Sequence, residues 1–445
     1  VRTTDVPLSH STTRWLRRTA LGAAVVGLAV SLFVVSAAVG APPSQPPAPA
    51  APTPASGDPL SRSIAGLQRH LKASPNSFAA WSDLGLAYVQ QARLTADPSY
   101  YPKAEGAFAR SLALRSADNA GALIGQATLA AARHDFARAL TVVRKALALN
   151  DYSATAYGVQ TDALTELGRY DEAAVSAQRM VDLRPGLDSF ARASYQRELR
   201  GDVAGARELL QRAADDASSP ADKAFALYYL GELAWNNSDC VEARRQYDAA
   251  LAADPAYLPA QAGLAKSLAL TDPTAALSVY RDVVEQQPQP AYLIELGELL
   301  EATGQKKAAT EQYAVVRATT QLFAAAGANV DLELALFEAD HGTPAKALHF
   351  ATAAYQARPA SVLVEDAYAW ALHRSGRDAV ALREARRANR LDTRLPLLRY
   401  HLGVIEAAVG ERAAARRDLQ MALTLNPAFN PLQAPAAQAL LRSLR

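Results

Sequence analysis

From Asn76 to Pro427, apolar positions recur at helical spacing in paired segments of about a dozen residues. A short turn carrying Gly or Asp splits each pair, and Pro or Asp closes it. A small residue marks the second segment of every pair. These markers are Ala104, Ala139, Ala173, Ala206, Ala243, Ala276, Ala309, Ala347, Ala381 and Ala415, at intervals of 35, 34, 33, 37, 33, 33, 38, 34 and 34. Unrelated helices do not keep such a period, so the pattern predicts ten stacked helix pairs over 76–428. Gly85, Gly231, Gly297 and Gly403 let two backbones approach, whereas Gly168, Gly201, Gly304, Gly376 and Gly410 suit the turns. Pro185, Pro255, Pro288, Pro359 and Pro427 stop second helices.

Both ends of the repeat read as caps. Leu60, Ile64, Leu67 and Leu71 form one helical stripe, which predicts a capping helix over 60–75. At the other end Pro427, Pro431 and Pro435 break the period. Ala436 to Leu444 can form a last helix within a cap over 429–445, with Arg442 and Arg445 toward water.

The first copy reads Trp81-Ser82-Asp83-Leu84-Gly85-Leu86-Ala87-Tyr88, then Ala104 and Phe108, with extra residues around Gln91 to Pro98. Other clear copies carry Leu230-Gly231 with Ala243, Tyr247 and Pro255; Leu296-Gly297 with Gly304, Ala309 and Tyr313; and Leu402-Gly403 with Gly410, Ala415 and Pro427. This resembles the tetratricopeptide repeat. The resemblance implies an all-α, right-handed solenoid of antiparallel helix pairs, whose first helices line a concave groove for an extended peptide or a partner helix. The Lys and Asn constellation with which some members of that family clamp a C-terminal carboxylate is not visible at the corresponding positions.

Ahead of the repeats, residues 19–41 are uncharged and long enough to span a bilayer, and Arg14, Arg17 and Arg18 precede them in a basic segment over 1–18. That asymmetry places the basic flank in the cytoplasm and the rest of the chain outside it. The segment reads either as a retained single-pass anchor or, cleaved after Ala38-Val39-Gly40, as a secretion signal. Eight prolines in 42–59 then make a linker of extended character. At roughly 3.1 Å per residue it reaches about 55 Å.

Composition narrows the chemistry. Apolar residues make up 50% and aromatic residues 7%, dominated by Ala and Leu, which favours helices in close contact. The net charge of +2 indicates no nucleic acid as a partner, and contact with a membrane is expected through the N-terminal segment only. Cys240 stands alone, which removes intramolecular disulfides and all-cysteine metal sites. The seven histidines show no ligand spacing; His341 and His349 come nearest, with Pro344 between them. Gly263-Leu264-Ala265-Lys266-Ser267 lacks the glycine that a phosphate loop needs before its lysine. No catalytic residue, metal or cofactor is predicted, and Cys240 reads as a packed small side chain.

Projection of the first helices yields the candidate site. Inward positions hold Asp162, Glu166, Asp188, Glu198, Glu232, Glu298, Glu301, Asp340 and Asp366, with Arg374 as the main cation. The aromatic residues among them are Tyr195, Tyr228, Trp235, Trp370 and Tyr400. An acidic, aromatic groove of this kind suits a protein or peptide with a basic and apolar segment. Two other readings stay open: an adaptor subunit of an envelope enzyme complex, and a structural or self-assembling spacer. The oligomeric state does not follow from the repeats.

Overall fold

A computed structural model describes residues 59–444. The expectations for 1–18, 19–41 and 42–58 lie outside those residues. Among the described residues there is no strand, and no helix is long and apolar enough to cross a membrane. The architecture is an all-α solenoid of helix pairs. A single helix, α1 (Pro59–Ala73), precedes ten hairpins. The first three are α2 (Phe78–Thr95) with α3 (Tyr100–Leu114), α4 (Ala120–Ala132) with α5 (Phe136–Leu149), and α6 (Ala154–Glu166) with α7 (Tyr170–Leu183). Next come α8 (Leu187–Glu198) with α9 (Val203–Asp215), α10 (Pro220–Asn236) with α11 (Cys240–Ala253), and α12 (Leu258–Leu268) with α13 (Pro273–Gln286). The last four are α14 (Pro290–Ala302) with α15 (Lys306–Ala325), α16 (Asp331–His341) with α17 (Pro344–Ala357), α18 (Val362–Arg374) with α19 (Asp378–Ala388), and α20 (Pro396–Ala408) with α21 (Arg412–Leu425). A final helix, α22 (Gln433–Ser443), follows them.

Local chemistry sets the helix ends. Ser77, Asn119, Asp135 and Ser153 each accept the backbone N–H three residues on, at Ala80, Ala122, Arg138 and Ala156. Caps of this kind stabilise a helix by about 1 kcal/mol. Second helices α7, α11, α13, α17 and α21 each end two residues before a proline, at Leu183, Ala253, Gln286, Ala357 and Leu425. The intervening Asp254, Gln287 and Asn426 are extended, and Arg184 and Arg358 also leave the helical region, because proline disfavours a helical residue before it.

Between the helices of each hairpin lies the core. All ten marker alanines are at most 1% exposed, so each second helix sits against its neighbours with almost no side chain between. Tyr247 shows the fit on the opposite side. Its ring lies between α10 and α12, where a Cβ on Gly231 or Gly263 would stand 2.5 or 2.6 Å from the ring. Lys266 and Ser267 thus belong to a helix that packs on Tyr247, not to a phosphate loop.

The solenoid closes on itself after six hairpins. Gln287, before α14, donates to the carbonyl of Leu94 at the end of α2 at 3.1 Å. Asn329, before α16, donates its N–H to the carbonyl of Arg133 after α4 at 2.9 Å. The Tyr170 hydroxyl accepts the N–H of Val362, which opens α18, at 2.8 Å. Thr393 donates to the carbonyl of Leu199, between α8 and α9, at 2.6 Å. Asn426, before α22, donates to the carbonyl of Trp235 in α10 at 2.9 Å. In the first four cases the turn inside hairpin n meets the loop that leads into hairpin n + 6, and in the fifth the turn of hairpin five meets the loop that leads into α22, so one edge of the first superhelical turn is seated on the other edge of the second.

Candidate functional site

First helices face the interior of this closed superhelix, and chords across it are short. Asn430, just before α22, donates to Glu298 of α14 at 2.8 Å, and Gln433 donates to Asp340 of α16 at 3.1 Å. Near the opposite end the Arg93 guanidinium shares its surroundings with Asp188, Arg192, Tyr229 and Tyr257 from three later hairpins. The inward carboxylates therefore sit in a confined space, where an ionised group needs a partner.

For most of them the partner lies on the next first helix. Arg192 grips Asp162 with two hydrogen bonds of 2.9 Å. Burial nevertheless pushes Asp162 up to about 7, against the pull of Arg192. Lys266 donates to both oxygens of Glu232 at 2.9 Å, and the Tyr247 hydroxyl adds a third bond at 2.6 Å. His341 meets Glu298 at 3.1 Å and stacks on Tyr313, with ring centroids 4.2 Å apart. Trp370 donates its indole N–H to Asp340 at 2.9 Å. Asp366 is buried and meets His401 at 2.8 Å. Glu166 differs in taking its partner across the superhelical seam, from Arg358 at 2.7 Å.

The structure divides the twelve candidate residues into two groups. Asp162, Glu166, Tyr195, Glu198, Tyr228, Glu232 and Trp235 occupy α6, α8 and α10, where Glu198 lies beside Glu232 and Tyr195 beside Glu166 and Glu198. Glu298, Glu301, Asp366, Trp370 and Tyr400 occupy α14, α18 and α20. In the second group the Trp370 ring stacks on His401 at 4.2 Å and lies 5.9 Å from Tyr400, which in turn lies 5.5 Å from Phe429. Glu301 accepts from the Tyr313 hydroxyl at 3.1 Å. Trp235 and Trp370 are almost fully buried and form part of the wall, whereas Tyr195, Tyr228, Glu198 and Glu232 are half-buried. Arg374 is exposed, with its guanidinium 5.9 Å from the Trp370 ring centroid.

Projection missed the partners. Arg192, Lys266, Arg358, His341 and His401 were not among the candidates, and neither were the inward Tyr257, Tyr292 and Glu295. One signal was available: Lys266 follows Glu232 by 34 residues, one repeat, so it falls on the same inward row. Among the described residues no group of His, Cys, Asp and Glu is arranged to hold a metal ion. His349 is exposed, and Cys240 opens α11 with a thiol raised by burial and by Asp239.

Helix pairs stacked at this period define an α-solenoid. A family model for the tetratricopeptide repeat matches residues 124–188, from α4 into α8. No curated protein matches it. Among solved structures, a thermophilic tetratricopeptide-repeat protein of Thermus thermophilus is 20% identical, with 38% of this chain and 91% of that one covered and a TM-score of 0.35. The Cut9–Hcn1 hetero-tetramer of the APC/C is 13% identical over 86% of this chain and 87% of that one, with a TM-score of 0.40. A tetratricopeptide-repeat protein of Parabacteroides merdae is 18% identical over 58% of this chain and 98% of that one, with a TM-score of 0.33.

Proposed function

We propose that this chain is a non-enzymatic scaffold that holds a basic and apolar segment of a partner protein in the interior ringed by its first helices. One observation carries the reading. Tyr195 and Tyr228, one repeat apart and both turned inward, are only half-buried, and their hydroxyls meet no hydrogen-bond partner among the described residues. Enclosed rings with a free polar tip are the anchors that protein interfaces favour. The half-buried Glu198 beside Tyr195, which meets the Asn236 side chain where Asp162 and Glu232 meet a cation, suits a basic partner.

The uncharged run at 19–41 behind Arg14, Arg17 and Arg18 supports a scaffold carried outside the cytoplasm, raised on the proline-rich linker. Site-specific photo-crosslinking in intact cells tests the reading. A photoreactive phenylalanine at Tyr195 or Tyr228 should capture a discrete partner, and the same probe at Val175 or Val241, both exposed on second helices, should not. Capture from the outer positions alone, or none from any position, overturns it.

A further inference from the structure

The seam uses only half of each edge of the superhelix. It joins the turns of hairpins one to five to the loops that lead into hairpins seven to ten and into α22. The loops that lead into hairpins two to six continue one of those edges, and the turns inside hairpins six to ten continue the other. Neither meets a further superhelical turn among the described residues. One end of the molecule therefore presents one half of the seam, and the opposite end presents the other half.

Matched positions show how closely the free loop edge copies the seated one. Asn150 and Asn426 each stand eleven residues after a marker alanine, Ala139 and Ala415, and each follows a leucine. Both are extended, and each accepts the backbone N–H two residues on, from Tyr152 at 3.0 Å and from Ala428 at 2.8 Å. With that turn made, the Asn426 amide donates to the Trp235 carbonyl across the seam, and Leu425 and Asn426 are at most 2% exposed. Asn150 is exposed to solvent, with Leu149 46% and Tyr152 72% exposed beside it. Arg184 and Arg358 match in the same way: Arg358 is buried on Glu166 across the seam, whereas Arg184 is exposed, with Asp188 at 3.9 Å.

The turn edge repeats the contrast. Gly168 and Gly201, in hairpins three and four, lie against the carbonyls of Ala360 and Asp392 on the opposing loops. Gly376 and Gly410, six hairpins on, keep the left-handed φ, but a Cβ on either would meet no atom within 4 Å. Leu270 holds the place in hairpin six that Leu167 holds beside Gly168, and it is 47% exposed. The faces of the terminal hairpins are closed by α1 through Ile64 and Leu71 and by α22 through Ala437 and Leu444. What stays open is the pair of edges that this chain already joins to each other once.

We propose that a second copy of this chain seats the turns of its hairpins six to ten on the loops that lead into hairpins two to six, so that the seam continues from one molecule to the next. The contact is head to tail, since each copy gives one edge and receives on the other. Copies then add along the superhelix axis instead of closing as a two-fold dimer. Leu149 and Tyr152 supply apolar surface for the seat to bury, and the Asn150 amide supplies a donor for a turn carbonyl. The interior binding proposed above is independent of this contact.

Sedimentation equilibrium of the full chain in density-matched detergent tests the proposal. The weight-average mass should rise with concentration beyond that of a dimer. Leu149→Asp with Tyr152→Asp spoils the loop edge. Leu270→Asp with Gly376→Asn, a residue that tolerates left-handed φ, spoils the turn edge. Each double variant alone should keep its helix content and sediment as a monomer. Mixed, the two should form a 1:1 pair that grows no further, because each retains the edge that the other has lost. Asn150→Ala, a milder change, should lower the association constant by about fivefold. A monomer at every concentration, association that survives both double variants, a mixture of folded variants that fails to pair, or an unchanged constant in Asn150→Ala each overturns the proposal.

Discussion

The Arg358 guanidinium donates to Glu166 at 2.7 Å across 192 residues of sequence, with both side chains buried. This ion pair joins the loop that leads into the ninth hairpin to the third hairpin, and Glu333 and His134 lie close to it. Removing one partner of a buried pair leaves the other uncompensated, at a cost of about 3–5 kcal/mol. In a solenoid that loss falls on the contact between superhelical turns before it falls on any hairpin. Arg358→Ala should therefore loosen the seam without unfolding the repeats. Small-angle scattering is expected to show a larger radius of gyration at unchanged helix content.

Gly168 tests the same seam through the backbone. Its φ is +74°, and a Cβ there would stand 2.0 Å from the Ala360 carbonyl oxygen on the opposing loop. Gly376 occupies the corresponding turn six hairpins on, at φ +72°, where a Cβ meets no atom within 4 Å. Alanine at either position incurs the left-handed strain of about 1–2 kcal/mol. Only Gly168→Ala also pushes two superhelical turns apart. Its melting temperature should fall further than that of Gly376→Ala, and the difference measured by scanning calorimetry reports the seam.

The hairpins were legible because they are set by local chemistry. The alanine period, the turn glycines and the prolines two residues past five of the second helices all act within one repeat. The closure was not legible, because its pitch accumulates from small angles between successive repeats. The residues that make it, Gln287, Asn329, Thr393 and Asn426, look like ordinary polar loop residues. In the same way, projection found inward carboxylates such as Asp162 and Glu232, since facing follows from helical period alone. It missed Arg192 and Lys266 because pairing depends on how two first helices are offset.

Burial sets the pH dependence. Asp162, Glu198, Glu295 and Glu333 are each pushed up to about 7, chiefly by desolvation. Unfolded carboxyls titrate near about 4, so between those values the folded chain holds protons that the unfolded chain has released. Their stabilisation is complete below about pH 4 and is lost as pH rises through about 7. His134, lowered to about 4 mainly by burial, has the opposite sense and loses its contribution as pH falls from about 6.5 toward 4. Between pH 6 and 8 the carboxylates dominate, so the melting temperature should fall over that range. Glu198→Gln with Glu295→Gln should flatten the slope in a fluorimetric melt.

Substitution of Tyr247 tests whether damage within one hairpin is transmitted across the seam between superhelical turns. Its side chain is fully buried, its ring fills the gap over Gly231 and Gly263, and its hydroxyl holds Glu232 at 2.6 Å. Tyr247→Ala opens a cavity worth about 3–5 kcal/mol. Tyr247→Phe removes only the bond to Glu232, a loss of about 1–3 kcal/mol. In an open solenoid the damage would stay within the neighbouring hairpins, seen as faster hydrogen exchange in α10 to α13. Here the Trp235 carbonyl at the end of α10 also carries Asn426, 191 residues away. Loosening α10 in Tyr247→Ala should therefore speed exchange at residues 426–433 as well, while hairpins outside both contact regions stay protected. Exchange confined to α10 to α13 would mean that the seam transmits nothing between superhelical turns.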